Sequence, residues 1–253
     1  MNKIFETRHF SEGSIPKWPC PSCLQGILVQ QDEKFDSQHD AMTKRECGEA
    51  YFDPDHYKFV FTCMMECQNC GESVAMIGTG GVSIDQPEDG PQEANEYFTP
   101  TYFQPALQII NFPNSPALPE KVRDLLSASF SLFWCDYDAC ANRIRAALEI
   151  LLDDMGIPRK LRPNVKQELH LHARIALIDA PEGSELDEIK QMIEALKWQG
   201  NAGSHELQGI SYQQLLQSYE MIEFCLRSLY PVVDHRRAKL LELAKEINAK
   251  YRK

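Results

Sequence analysis

Apolar residues fall on alternate positions in short runs through the first hundred residues, and every three to four positions after residue 119. This change of rhythm predicts an α+β chain. GILVQQ (26–31), YKFVFTCM (57–64) and SVAMIG (73–78) are rich in β-branched or aromatic residues and read as strands. Between the first two lies DEKFDSQHDAMTKRECGEAYFDPDHY (32–57), polar enough to read as a long insertion. GTGGVSIDQPEDGPQEANE (78–96) has the Gly, Pro and acidic content of a loop or linker. In YFTPTYFQPALQIINFPNSPALP (97–119) the prolines forbid a continuous helix, and ALQII reads as a strand or an extended strap against the next domain.

Helices occupy the rest of the chain. PEKVRDLLSASFSLFWC opens with Pro and Glu, which suit a first turn, and places Leu125, Leu126, Phe130 and Phe133 at helical spacing. DYDACANRIRAALEILLDDMG sets Ile144, Leu148, Leu151 and Leu152 on one side and stops at Gly156. VKQELHLHARIALID (165–179) is a third helix. SELDEIKQMIEALKWQG is a fourth, opening on a Ser184–Asp187 capping pattern and expected to end at Gly200–Asn201. SYQQLLQSYEMIEFCLRSLY is a fifth, broken at Pro231 before a basic terminal helix. The expected organisation is a β module over 1–96, a strap over 97–117 and an all-α bundle over 118–253.

Charge separates the two halves. Of the net −11, residues 1–96 carry −10 and residues 97–253 carry −1, while HRRAKLLELAKEINAKYRK at the C-terminus has seven basic residues against two acidic. An acidic β module repels a phosphate backbone, so it is not expected to bind DNA. The basic tail reads as a solvated helix face, or as a contact for RNA or a partner protein. No apolar run approaches the roughly 20 residues that cross a bilayer, and MNKIFETRHFSEG is too polar for a secretory signal. A cytoplasmic protein without a membrane partner is expected, and in a reducing compartment paired cysteines hold metal more often than they bridge.

WPCPSCLQGIL and ECQNCGESV each place two cysteines two residues apart in a tight turn, so both sulfurs can face one ion. Two such turns supply the tetrahedral thiolate set that zinc favours, so Cys20, Cys23, Cys67 and Cys70 are expected to hold one structural Zn²⁺ as the knuckles of a zinc ribbon. A four-thiolate site leaves no open position for catalysis. Gly26 and Gly71 lie just after the knuckles, where the chain must turn. Cys63, four residues before Cys67, is an alternative ligand, although Cys67-Gln-Asn-Cys70-Gly makes the better knuckle. Cys47, Cys135, Cys140 and Cys225 read as ordinary residues, with Cys135 and Cys225 packed as small hydrophobes in apolar helical stretches.

Two stretches of the helical half, Arg143-Ile-Arg145-Ala-Ala-Leu148-Glu149 and Lys197-Trp-Gln-Gly-Asn201-Ala-Gly-Ser-His205-Glu206, stand in an order that resembles the domain-of-unknown-function 4145 family. The resemblance covers roughly 97–231, and an N-terminal zinc ribbon is a common companion of that family. It implies a helical domain of the HEPN class, often dimeric and including RNA-cleaving toxins and antiviral defence proteins. His205 and Asn201 match the positions of a histidine and a polar residue in the cleaving members. The arginine those members carry, with four to six residues between it and the histidine, is replaced here by Trp198, Gln199 and Gly200, and Lys197 is the nearest cation.

These residues support two functions. One is an interaction module, zinc-containing and homodimeric, that binds a partner protein or RNA. The other is a metal-independent endoribonuclease in which Lys197, Asn201 and His205 supply charge and proton transfer. Nucleotide binding between the helices is a third, weaker reading. In structural terms Arg145 and Glu149, four apart, can form an ordinary helix ion pair, with Glu206 near the end of the second motif. His170 and His172 lie two apart and do not share a face for chelation. Trp198 and Tyr230 read as core or interface anchors.

Overall fold

The computed structural model describes residues 3–85, 93–162, 164, 166–205, 209–231 and 235–251, and leaves the side chains of 33, 85, 202–205, 235–238 and 251 undescribed. Four antiparallel strands, β1 (Leu28–His39), β2 (Lys58–Cys67), β3 (Ser73–Asp85) and β4 (Glu93–Gln104), form one sheet in the order β1-β2-β3-β4. A short helix, α1 (Ala41–Glu46), joins β1 to the turn before β2, capped by the Asp40 carboxylate on the Thr43 amide. Then come α2 (Glu120–Phe130), α3 (Tyr137–Asp154), α4 (Leu171–Ala176), α5 (Glu185–His205), α6 (Tyr212–Leu229) and α7 (His235–Tyr251). The chain is α+β, as its two apolar rhythms predict.

Strand β2 shows the alternation at its cleanest: Phe59, Phe61, Cys63, Met65 and Cys67 are buried, and Lys58, Val60, Thr62 and Glu66 are exposed. Two expectations about loops are corrected. The segment 32–57 is not all insertion, because β1 carries the chain as far as His39; a bulge between Gln30 and Phe35 turns Phe35 onto Phe61 and Phe98. GTGGVSID is strand rather than loop. A Cβ at Gly78 would stand 2.1 Å from the Thr99 carbonyl oxygen and 2.5 Å from the Phe61 ring, so glycine here makes room for β4 and an aromatic core. The pairing also breaks register at this point, between Ile77 and Gly78. Residues 86–92, the most loop-like part of that stretch, lie outside the described residues.

After β4, which runs through residues 96 and 97, the chain continues from 105 to 118 as the extended strap. Leu107, Ile109, Ile110 and Leu118 are buried along it, and the Asn111 amide donates to Glu223 Oε1 on α6. The inner face of the sheet and the helices share one core. Trp18 meets Phe103 and Trp134 edge-on, Phe5 meets Phe133 and Trp134, and the Tyr212 hydroxyl donates to the Phe5 carbonyl. Deeper in the bundle Tyr219, fully buried, hydrogen-bonds Ser129 Oγ at 2.7 Å and Cys140 Sγ at 3.0 Å, which satisfies a phenol that could not otherwise be buried cheaply. Cys225 packs as a small hydrophobe, whereas Cys135 lies exposed in the turn after α2, not on an apolar helix face.

The third helix is shorter than expected, because Lys166, Gln167 and Glu168 are all exposed and supply no apolar stripe to bury. What fixes α4 is Arg174, buried, whose guanidinium donates to the Glu149 and Ile157 carbonyls and to Asp153 Oδ1 at the end of α3. This is a buried cation met by carbonyls and a carboxylate near the C-terminal end of α3, where the helix dipole favours positive charge. Hydrogen bonds from Arg159 hold the Asp153 carboxyl below its ordinary value, Arg174 adding to them against partial burial. A carboxylate with a depressed folded pKa stabilises above its unfolded pKa of about 4, and that stability is lost as pH falls through the folded value. Acid unfolding monitored by circular dichroism should therefore steepen below about pH 4 in the natural chain. In Asp153→Asn that component should be absent. Identical acid profiles would show that the Arg159–Asp153–Arg174 network contributes nothing.

Candidate functional site

The two knuckles sit at one end of the sheet. The first precedes β1, where the Cys20 amide donates to the Gly26 carbonyl and the Leu24 amide to the Cys20 carbonyl; Leu24 takes a positive φ of 56° to close the turn. The second leads from β2 into β3: the Cys67 amide donates to the Glu72 carbonyl, and the Gly71 amide, at φ 75°, to the Cys67 carbonyl. Pairing of Leu28 with Cys67 then lays one knuckle against the other. A Cβ at Gly26 would lie 2.4 Å from Cys67 Sγ, so this glycine is required for the approach of the second knuckle. Ser22 on the first knuckle donates to Glu72 after the second, 2.5 Å away.

The sulfurs of Cys20, Cys23, Cys67 and Cys70 all lie within 4.8 Å of one another, with Cys20–Cys70 and Cys23–Cys67 at 3.7 Å. A tetrahedron with metal–sulfur arms of about 2.3 Å has edges of about 3.8 Å, so the four can hold one ion. Amide donors already face the sulfurs: Gly26 N on Cys23 at 3.3 Å, Asn69 N on Cys67 at 3.4 Å and Asn69 Nδ2 on Cys23 at 3.6 Å. Amide hydrogen bonds, those of Gln25 and Gly26 foremost, bring the Cys23 thiol down to about 6. At Cys70 a lowering bond from the Glu72 amide is outweighed by burial and by Cys67, Cys23 and Cys20, which together push it up to about 12. One thiolate forms readily without an ion, but four so close together need a cation to balance them. Cys63 is settled by the fold: it points into the sheet core, where burial pushes its thiol up to about 11, and it is not among the clustered sulfurs. The amide donors Gln25 and Asn69 escape sequence reasoning because any residue type can supply a backbone N–H.

The helical-half candidates are distributed differently. α5 does not stop at Gly200–Asn201 but continues to His205, since Gly200 is an interior position where α5 packs on Arg145 of α3. His205 ends α5, but its side chain lies outside the described residues, as does Glu206 altogether. Asn201 is half-buried. Lys197 is only 2% exposed: its Nζ lies 3.1 Å from His172 Nδ1, 4.0 Å from Glu194 Oε1 and 3.4 Å from the centre of the Trp198 ring. Burial pushes this amine below its ordinary value, and Glu194 partly opposes that.

Glu194, and the pairing of His172 with Lys197, are what sequence reasoning missed here; the one available signal was Glu194 standing three before Lys197 and four before Trp198. Trp198 is 58% exposed and so is not a core residue, whereas Tyr230 is buried with its hydroxyl on Asp154. Arg145 and Glu149 lie one turn apart on α3, yet among the described residues no ion pair joins them. His170 stands at the N-cap position of α4 without a side-chain capping bond, and His172 lies on Lys197, so the two are not brought together.

Among the described residues no helix is long and apolar enough to cross a membrane. No curated protein and no solved structure matches the chain. Two family models do: Domain of unknown function (DUF8608) matches residues 8–103, which include the sheet and all four clustered cysteines, and Domain of unknown function (DUF4145) matches residues 127–250, which run from the end of α2 into α7.

Proposed function

We propose that this chain is a zinc-braced interaction module that works as a homodimer, its helical half a HEPN-like scaffold. The four-thiolate set and its near-tetrahedral edges favour Zn²⁺, and a site closed by four cysteines is structural. The observation that carries the interaction role is α7. Every described side chain from Lys239 to Lys250 is exposed, including Leu240, Leu241, Leu243 and Ile247 at 50–55%. A 17-residue helix without a packed face among its described residues is marginal alone in water, and four large aliphatic residues close together on it mark a contact surface.

Charge favours a second copy as the partner. Residues 235–253 carry +5, and the remainder of the chain carries −16. The reading of the chain as a ribonuclease draws less support, because the Lys197 amine is buried against His172, Glu194 and Trp198, away from any substrate. Light scattering on the purified chain should give twice the 29.0 kDa of one protomer. The double variant Leu240→Glu, Ile247→Glu should give one protomer's mass, with helix content reduced by no more than α7 and a melting temperature that no longer rises with protein concentration. A natural chain that stays monomeric at all accessible concentrations would overturn the proposal.

A further inference from the structure

Arg145 is a cation that the fold encloses but, among the described residues, does not neutralise. Its stem lies across Gly200, where a Cβ would stand 2.8 Å from Arg145 Cβ and 3.0 Å from Arg145 Cδ. Its Nε is buried with no hydrogen-bond partner among the described residues. Among those residues the guanidinium also has no carboxylate within ion-pair distance, although Glu149 is one turn further along α3. Arg174, whose Nε is likewise without a partner, still bonds two carbonyls and a carboxylate through its terminal nitrogens, whereas Arg145 makes no such bond among the described residues. The side chain as a whole is only part-buried, and of its nitrogens Nε alone is among the buried atoms without a partner. Beside it on α5 stands Asn201, immediately after Gly200 and half-buried.

We propose that Arg145, seated in the notch left by Gly200, anchors an anion site that takes a phosphate group. The planar fork of a guanidinium suits an oxyanion, and burial strengthens such a bond. A phosphate group of charge near −2 gains more from the guanidinium than a carboxylate of −1 does. The phosphate can come from a free nucleotide or from an RNA chain, and binding assays separate the two. This site stands independently of the dimer proposed above.

The test is titration of the zinc-loaded chain with inorganic phosphate, AMP, a short single-stranded RNA and acetate, read by calorimetry and by the rise in melting temperature. Phosphate and AMP should bind and acetate should not; an RNA that binds at least about tenfold more tightly than AMP identifies the source as a nucleic acid. Arg145→Met keeps the packed stem, so without ligand it should melt at or above the temperature of the natural chain, and it should lose the phosphate response. Arg145→Lys, which keeps the charge and loses the fork, should bind about tenfold more weakly. Equal binding of phosphate and acetate would overturn the assignment, as would an undiminished response in Arg145→Met or no response in the natural chain. If Arg145→Met does not fold, the Arg145→Lys titration decides alone: an unchanged affinity there also overturns it.

Discussion

Removing the metal, or replacing Cys20 and Cys67 together by serine, should unfold the knuckle end of the sheet and cost on the order of 5 kcal/mol or more. Folding and metal binding are one free energy where a site does not pre-exist in the unfolded chain, and structural zinc contributes strongly in small domains. The cost here is moderated because β2 and β3 keep their own core contacts through Phe59, Phe61, Val74 and Met76. It remains large because the turns at 20–26 and 67–72 place four thiols together with little else to hold them. Elemental analysis should return one zinc per chain, and a strong chelator should lower the melting temperature more than any single core substitution. Affinity should fall as pH falls, since protons compete with the metal for the four thiolates. A chain purified without metal, or a double serine variant that melts like the natural protein, would remove the site from the account.

Trp18→Ala should be the most damaging single change in the core, costing about 3–5 kcal/mol. Trp18 has no exposed surface, and it touches Phe10, Phe103 and Trp134, so it joins the knuckle, the sheet and the turn after α2. At this chain length each kcal/mol lowers the melting temperature by roughly 2–4 °C, so a fall of about 10 °C is expected. Loss of this joint should also separate the melting of sheet and helices, visible as non-coincident far-ultraviolet and tryptophan-fluorescence transitions. A single transition with a fall below about 2 °C would show that the two halves do not depend on a shared core.

How far the chain can be read without its structure differs from element to element. α3 and α6 were legible in their apolar spacing and their stop signals, because a helix that packs one stripe must repeat that stripe every turn. The cysteine pairs were legible for a related reason: chelation by a tight turn has a local spacing requirement that tertiary context cannot change. By contrast, Gly80 looked like a loop residue because composition carries no information about what lies opposite, and here the Phe98 ring and the Tyr97 carbonyl of β4 do. Gly200 looked like a helix stop for the same reason, until Arg145 of α3 occupied its missing side chain's place. Lys197 looked like an available cation, since exposure is a property of neighbours and His172 lies 25 positions away in the chain.

By itself, then, the sequence determined the α+β order of elements, the four sulfurs that cluster and the acidic and basic division of charge, all of which rest on local spacing and composition. The tertiary structure alone decided that Cys63 belongs to the sheet core, that Lys197 is buried while Trp198 is exposed, and that Arg145 is left without a counter-charge among the described residues. Each of these depends on which distant side chain fills the adjoining space, and close packing settles that only once the whole chain is folded.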